Sequence, residues 1–225
     1  MMFLSKAYQF AQGYSTFALT LHTYMQHMTK EQIQELIEQE IQALRNIPMD
    51  GSLQKAVELI HKSVHEGDGT VIVSGVGKAG EVGTKIANTL CSTGTPAYFL
   101  KPLEAQHGDL GLVKKQDVLI LMSNSGYTRE ILELIEQVKL LHGNMSIITI
   151  TRNPDAPLAA AGDVNLLTGE TIEICPLGLT PTTSTTVMTV IGDLLIVALM
   201  NRIGFTKEQY GLRHHSGYLG QKARG

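Results

Sequence analysis

The chain has 225 residues, 43% of them apolar and 17% charged, with a net charge of −3. That length buries a sizeable core in one domain, and the near-neutral balance excludes the basic face that a nucleic-acid partner requires. Two cysteines, Cys91 and Cys175, are too few for a disulfide framework and lack zinc-ligand spacing; they suit buried free thiols in a reducing compartment, so a cytoplasmic location is expected.

Residues 1–27 hold no continuous apolar core of the signal-peptide kind, because polar residues interrupt them every few positions. Met28 offers an alternative start, since Thr29-Lys30-Glu31-Gln32 reads as a capping box opening a helix. Ile33, Leu36, Ile37, Ile41 and Leu44 then recur at helical spacing over 29–45, and Pro48 and Gly51 end the run. A second helix starts at Ser52 and stops near Glu66-Gly67-Asp68-Gly69. From there the pattern changes. Short β-branched runs at 70–75, 97–101, 117–123, 145–151 and 163–168 predict five strands. Helical patterns fall between the central ones, at 79–92 and 127–142, and a long apolar helix covers about 183–203. Its most apolar part, 187–200, is shorter than the roughly 20 residues that span a bilayer and contains Asp193, so a buried core helix with no membrane partner is expected. Strand–helix alternation of this kind argues a parallel sheet covered on both faces, preceded by an N-terminal helical hairpin: a flavodoxin-like, doubly wound α/β fold.

Ligands in such folds bind beyond the carboxyl ends of the strands. The third strand runs into SNSGYTRE, 123–130. An ordinary helix cap needs one hydroxyl; Ser123, Ser125 and Thr128 with Gly126 exceed that need. Free N–H groups and the helix dipole favour an anion there, so the loop predicts a phosphate cradle, with Asn124 inside it. SGVGKAG, 74–80, follows the first strand. It fails the NTPase phosphate loop, because Ala79 follows Lys78, and it matches GxGxxG through Gly75, Gly77 and Gly80 without the acidic residue expected about twenty positions on. Lys78 is better used near a phosphate or an oxyanion, with a solvated loop charge as the alternative. PTTSTT, 181–186, is read first as the cap of the long helix, with sugar or phosphate binding as the alternative.

SGVGKAGEVGTKIANTLCSTGTPAYFL, EAQHGDLGLV, SNSGYTREI, EICPLGLTPTTSTT, GDLLIVAL and GFTKEQYGLRHHSGYLGQK occur in that order. Together they resemble the sugar isomerase domain family, most closely its arabinose-5-phosphate isomerases, over roughly residues 30–222. The resemblance implies a three-layer αβα sandwich with a five-stranded parallel sheet, and a metal- and cofactor-free interconversion of D-ribulose 5-phosphate and D-arabinose 5-phosphate that supplies Kdo for lipopolysaccharide or capsule. It also implies a homotetramer with active sites near subunit contacts. Many members carry C-terminal CBS modules; the likeness here is to the short form. By position, Lys78, Glu130, Glu173 and His214 match the catalytic set. Ser74, Gly75, His107, Ser123, Asn124, Ser125 and Thr128 fall at the substrate- and phosphate-binding positions. Tyr127 stands where a glutamate is common, and HHSGY replaces HPGGA, which brings His215 beside His214.

Aldose–ketose isomerisation needs a base over carbon, a proton carrier between two oxygens and a stabilised oxyanion. A glutamate desolvated beside a phosphate is expected to have a raised pKa, and a histidine titrates near working pH. Which of Glu173 and His214 abstracts the proton is open at this stage. A metal site of His107, His214, His215 and Glu173 is the weaker alternative, given their scattered spacing. Another sugar-phosphate isomerase of the same fold and a non-catalytic sugar-phosphate regulator are the other readings. An amidotransferase is excluded by the lack of an N-terminal cysteine.

Overall fold

The computed structural model of the chain describes residues 28–225. The readings made of residues 1–27 lie outside the described residues. The chain divides into two compact units, Met1–Ile41 and Gln42–Gly225. In the first, helix α1 (Lys30–Arg45) begins and runs on past the division. The expected capping box opens it: Gln32 N–H donates to Thr29 Oγ1 (3.3 Å), and Thr29 N–H donates to Gln32 Oε1 (2.9 Å).

The second unit contains the sheet. Helix α2 (Ser52–Ile60) continues through a wider π-type turn, His61–His65. Strands β1 (Val71–Gly75), β2 (Ala97–Phe99), β3 (Val118–Met122), β4 (Ser146–Thr151) and β5 (Val164–Leu167) follow. They pair in parallel in the order β2-β1-β3-β4-β5. This is the five-stranded doubly wound α/β sandwich expected from the alternation of runs. Between the strands lie α3 (Gly77–Ser92), short α4 (Pro102–Ala105), α5 (Arg129–His142) and short α6 (Pro157–Ala161). After β5 come α7 (Thr183–Arg202), α8 (Lys207–Arg213) and α9 (Gly217–Arg224). The four short helices carry too few turns to show a period in the sequence.

Period-two alternation in the strands builds two cores. Val71, Val73, Val118, Ile120 and Met122 face α2, α3 and α7, while Ile72, Leu119 and Leu121 face α5 and α6. Helix α7 is apolar on all sides and has the length and composition to cross a membrane, yet half of it is buried against the sheet and α3. Asp193 is accommodated by an ion pair with Lys85 of α3. One residue earlier, Gly192 lets α3 and α7 close together, since a Cβ there would lie 2.5 Å from the Ile86 side chain. The cysteines correct one expectation. Cys91 is exposed and Cys175 half-buried, so neither serves as a buried apolar thiol.

Candidate functional site

In the order β2-β1-β3-β4-β5 the connections reverse direction between β1 and β3, and a crevice opens there beyond the strand ends. Three helices begin at its edge: α3 after β1, α5 after β3, and α7 after the long segment following β5. A cleft of about 280 Å³ lies among them, its polar lining formed by Lys78, the Ser123–Asn124–Ser125 run with Thr128, Glu173, and Ser184 and Thr185 of α7. Met122, Leu179, Pro181 and Met188 give it an apolar side.

The SNSGYT loop is shaped by its own hydroxyls. Ser123, at the end of β3 and almost fully buried, shares a 2.7 Å hydrogen bond with Thr128 Oγ1 and accepts the Gly126 N–H at 3.1 Å. Ser125 Oγ accepts the Tyr127 N–H at 3.2 Å. Gly126 turns the chain with φ +75°, and a Cβ there would lie 2.4 Å from the Ala156 Cβ, so only glycine fits. Thr128 is the N-cap residue of α5, but its hydroxyl makes no capping bond. The Ile131 N–H is taken by the Thr128 carbonyl (3.1 Å), which leaves the Arg129 and Glu130 N–H groups as donors beside three hydroxyls.

SGVGKAG wraps differently. Gly75 and Gly80 permit close approach of β1 and α3: a Cβ on Gly80 would lie 2.7 Å from the Gly75 carbonyl oxygen. This pair thus serves strand–helix packing, while Gly77 has open space around it and turns the chain with φ +58°. Lys78 projects from the first turn of α3 as an exposed cation lining the cleft.

Glu173 arrives from the segment after β5. Its Oε2 accepts the Thr182 N–H (2.7 Å), the Thr182 hydroxyl (3.0 Å) and the Ser184 N–H (3.2 Å). The carboxylate thus caps α7 from nine residues upstream of Thr182, where the helix dipole favours it. This corrects the expected pKa direction. Burial by itself pushes the carboxyl up, but hydrogen bonds from the Ser184 side chain, the Thr182 and Ser184 N–H groups and the Thr182 hydroxyl outweigh it. They hold the group below the ordinary glutamate value of 4.5. Glu173 is therefore ionised at neutral pH. The residues that do this, Thr182 and Ser184, belong to the PTTSTT run, whose sequence suggests a helix cap first and sugar or phosphate binding as the alternative. A glutamate shortly before a hydroxyl-rich helix start was the available signal.

Other sequence candidates lie elsewhere. Ser74 is fully buried and donates to the Leu100 carbonyl (2.8 Å), so its hydroxyl ties β1 to the end of β2 and does not line the cleft. Gly75 contributes packing. Glu130 is half-buried in the first turn of α5, outside the cleft lining, and His107 is exposed in the loop after α4. His214 sits between α8 and α9, its ring stacked on Tyr210 at 3.8 Å. Its Nδ1 donates to the Tyr210 carbonyl (3.0 Å), which makes Nε2 the acceptor of the neutral ring. It does not line the cleft of its own chain. Among the described residues no His, Cys, Asp or Glu side chains gather in a group able to hold a metal. Near Glu173, the Thr180 hydroxyl and N–H and the Leu179 N–H hold the Cys175 thiol down to about 7.

Hydroxyls at a helix N-terminus, a cation and an ionised carboxylate thus surround one small cleft of a doubly wound α/β protein, which makes it the candidate site. Comparison with known proteins places the fold. The SIS domain matches residues 66–198, and the chain belongs to that family. It is 49% identical over 156 residues to the arabinose 5-phosphate isomerase KdsD of Pseudomonas aeruginosa, an alignment covering 69% of this chain and 47% of that protein. The chain thus spans about half the length of the curated relatives it matches. A Bacteroides fragilis structure, provisionally described as a phosphosugar isomerase involved in capsule formation, is 55% identical with a TM-score of 0.82. It covers 84% of this chain and 98% of its own. An Escherichia coli CFT073 protein in complex with arabinose 5-phosphate is 35% identical with a TM-score of 0.76, covering 83% and 100%.

Proposed function

We propose that the protein is an aldose–ketose isomerase that interconverts D-ribulose 5-phosphate and D-arabinose 5-phosphate, the product supplying Kdo synthesis. The observation that carries this reading is the convergence of Lys78, the Ser123–Ser125–Thr128 cradle and an ionised Glu173 on one cleft. The names of the relatives support the choice of substrate.

In this reading the cradle and the first N–H groups of α5 hold the phosphate. Glu173 takes the proton from C2 of the aldose, leaving an enediolate whose oxygen charge Lys78 stabilises, and the proton returns to C1. A carboxylate bound by three hydrogen bonds is a weak base, so charge stabilisation must carry much of the barrier. His214, through Nε2, moves the proton between the two oxygens and is supplied by a neighbouring copy in a tetramer, because it does not line the cleft of its own chain. Glu130, outside the cleft lining, takes no part in these steps.

The capping of Glu173 favours one second reading, a site that binds the sugar phosphate without turning it over. Proton exchange separates the two. Protein mixed with D-arabinose 5-phosphate in deuterated water is expected to yield ribulose 5-phosphate carrying deuterium at C1. Thermal stabilisation by the sugar phosphate with no turnover would establish the binding reading, and neither effect would remove both.

A further inference from the structure

Thr182 is the residue on which the loop and the carboxylate meet. Its hydroxyl oxygen accepts the Ile174 N–H at 3.1 Å, and its hydroxyl proton points to Glu173 Oε2 at 3.0 Å. A hydroxyl has one proton to give, so the donor capacity of this side chain is committed to Glu173. The backbone N–H of the same residue reaches the same oxygen at 2.7 Å. Thr182 is not among the residues lining the cleft, and its hydroxyl reaches the cleft only through Glu173; its carbonyl accepts the hydroxyl of Thr185, a lining residue, at 2.8 Å. The one other charged side chain lining the cleft among the described residues is Lys78, on α3. On Glu173's own segment the titratable neighbour is Cys175, whose sulfur accepts the Leu179 and Thr180 N–H groups. From α7 the carboxylate is met by the N–H and side chain of Ser184.

We propose that Thr182 is a positioning residue for Glu173: its hydroxyl aims the carboxylate across the start of α7 and favours its charged form. The inference rests on the reading of Glu173 as the proton acceptor. A charge-assisted hydrogen bond stabilises the ionised carboxylate, and its loss raises the pH at which that carboxylate takes up a proton.

Thr182→Val keeps the shape and removes the hydroxyl. Its acid limb of kcat/KM is expected to move up by about half to one pH unit. Below that limb kcat falls several-fold with KM within about twofold. Thr182→Ser restores the limb. Thr186→Val, which loses a hydroxyl bonded to the Thr182 carbonyl on the same turn, leaves it in place. Thr182→Ala replaces the valine variant if that chain does not fold. A substrate-free arm follows the Glu173 carboxyl by NMR in protein labelled with carboxyl-13C glutamate, the signal assigned with Glu173→Gln. An upward shift in Thr182→Val without any pentose-phosphate turnover in the wild type keeps the clamp and removes the isomerase reading. Turnover in the wild type with the same Glu173 titration in both proteins overturns the clamp, and so does a loss of activity in Thr182→Val that falls on KM alone.

Discussion

Glu173 combines two roles that pull in opposite directions. As a cap it is held ionised by the start of α7; as a base it must give up part of that stabilisation when it takes a proton. Glu173→Gln is expected to lower kcat by at least about a hundredfold with KM little changed, read from the initial rate of ketose formation. The same group gives a stability signature. Its folded pKa lies below the ordinary 4.5, so its contribution is present above the unfolded value and is lost as pH falls through the lower folded value. The melting temperature of wild type relative to Glu173→Gln should therefore be flat above about pH 5 and decline below the ordinary glutamate range. A difference that grows on acidification would contradict the capped geometry. Ser123 and Thr128 make the complementary case. Ser123→Ala breaks the 2.7 Å contact with Thr128 and the bond from Gly126. The expected result is a KM for the sugar phosphate raised about tenfold or more, with kcat less affected, which assigns the hydroxyls to binding.

At the scale of elements, the site depends on strand-to-helix turns that leave room for a ligand. The β3–α5 turn is held in place on its outer side: the Asn124 carbonyl accepts the Arg152 N–H (3.1 Å), and the Gly126 carbonyl accepts the Leu158 N–H (3.3 Å). Gly126→Ala forces a positive φ on a residue with a Cβ and drives that atom toward Ala156. It should cost about 1–3 kcal/mol by denaturant titration and weaken phosphate binding as the cradle opens. The hydroxyl-rich loop before α5 and α7 itself were legible in sequence because their signals are local: hydroxyls next to a helix period, and a long apolar run. The capping of α7 by Glu173 was not legible. It joins a loop without periodicity to a helix start, and the choice between surface loop and cap depends on where the chain after β5 returns.

At the scale of the whole molecule, two core layers bind the sheet between α2, α3 and α7 on one side and α5 and α6 on the other. His214 lies on the tail, stacked on Tyr210 and away from the cleft of its own chain. The proposed tetramer makes a direct prediction. His214→Ala and Glu173→Gln should each be nearly inactive alone. Mixed after dissociation and reassembly, they should regain part of the wild-type rate, because some clefts then receive Glu173 from one chain and His214 from another. No recovery in verified mixed oligomers would place His214 outside the reaction or back in its own chain's site.

Much of this protein was determined by its sequence alone. Period-two strands, the intervening helical periods and the hydroxyl-rich turn after β3 are written within a few residues of one another, and local chemistry decides them. The ordered run of family segments extended that reading to the family and to Lys78 and Glu173. Only the tertiary structure decided which candidates meet. It withdrew Ser74 into the core, explained Gly75 and Gly80 of SGVGKAG as close packing, and left His107, Glu130 and His214 off the cleft. It also reversed the expected shift of Glu173, for a physical reason. Charge state is set by the donors that surround a carboxylate, and here those donors are the N–H groups and hydroxyls of a helix start brought against it by the fold.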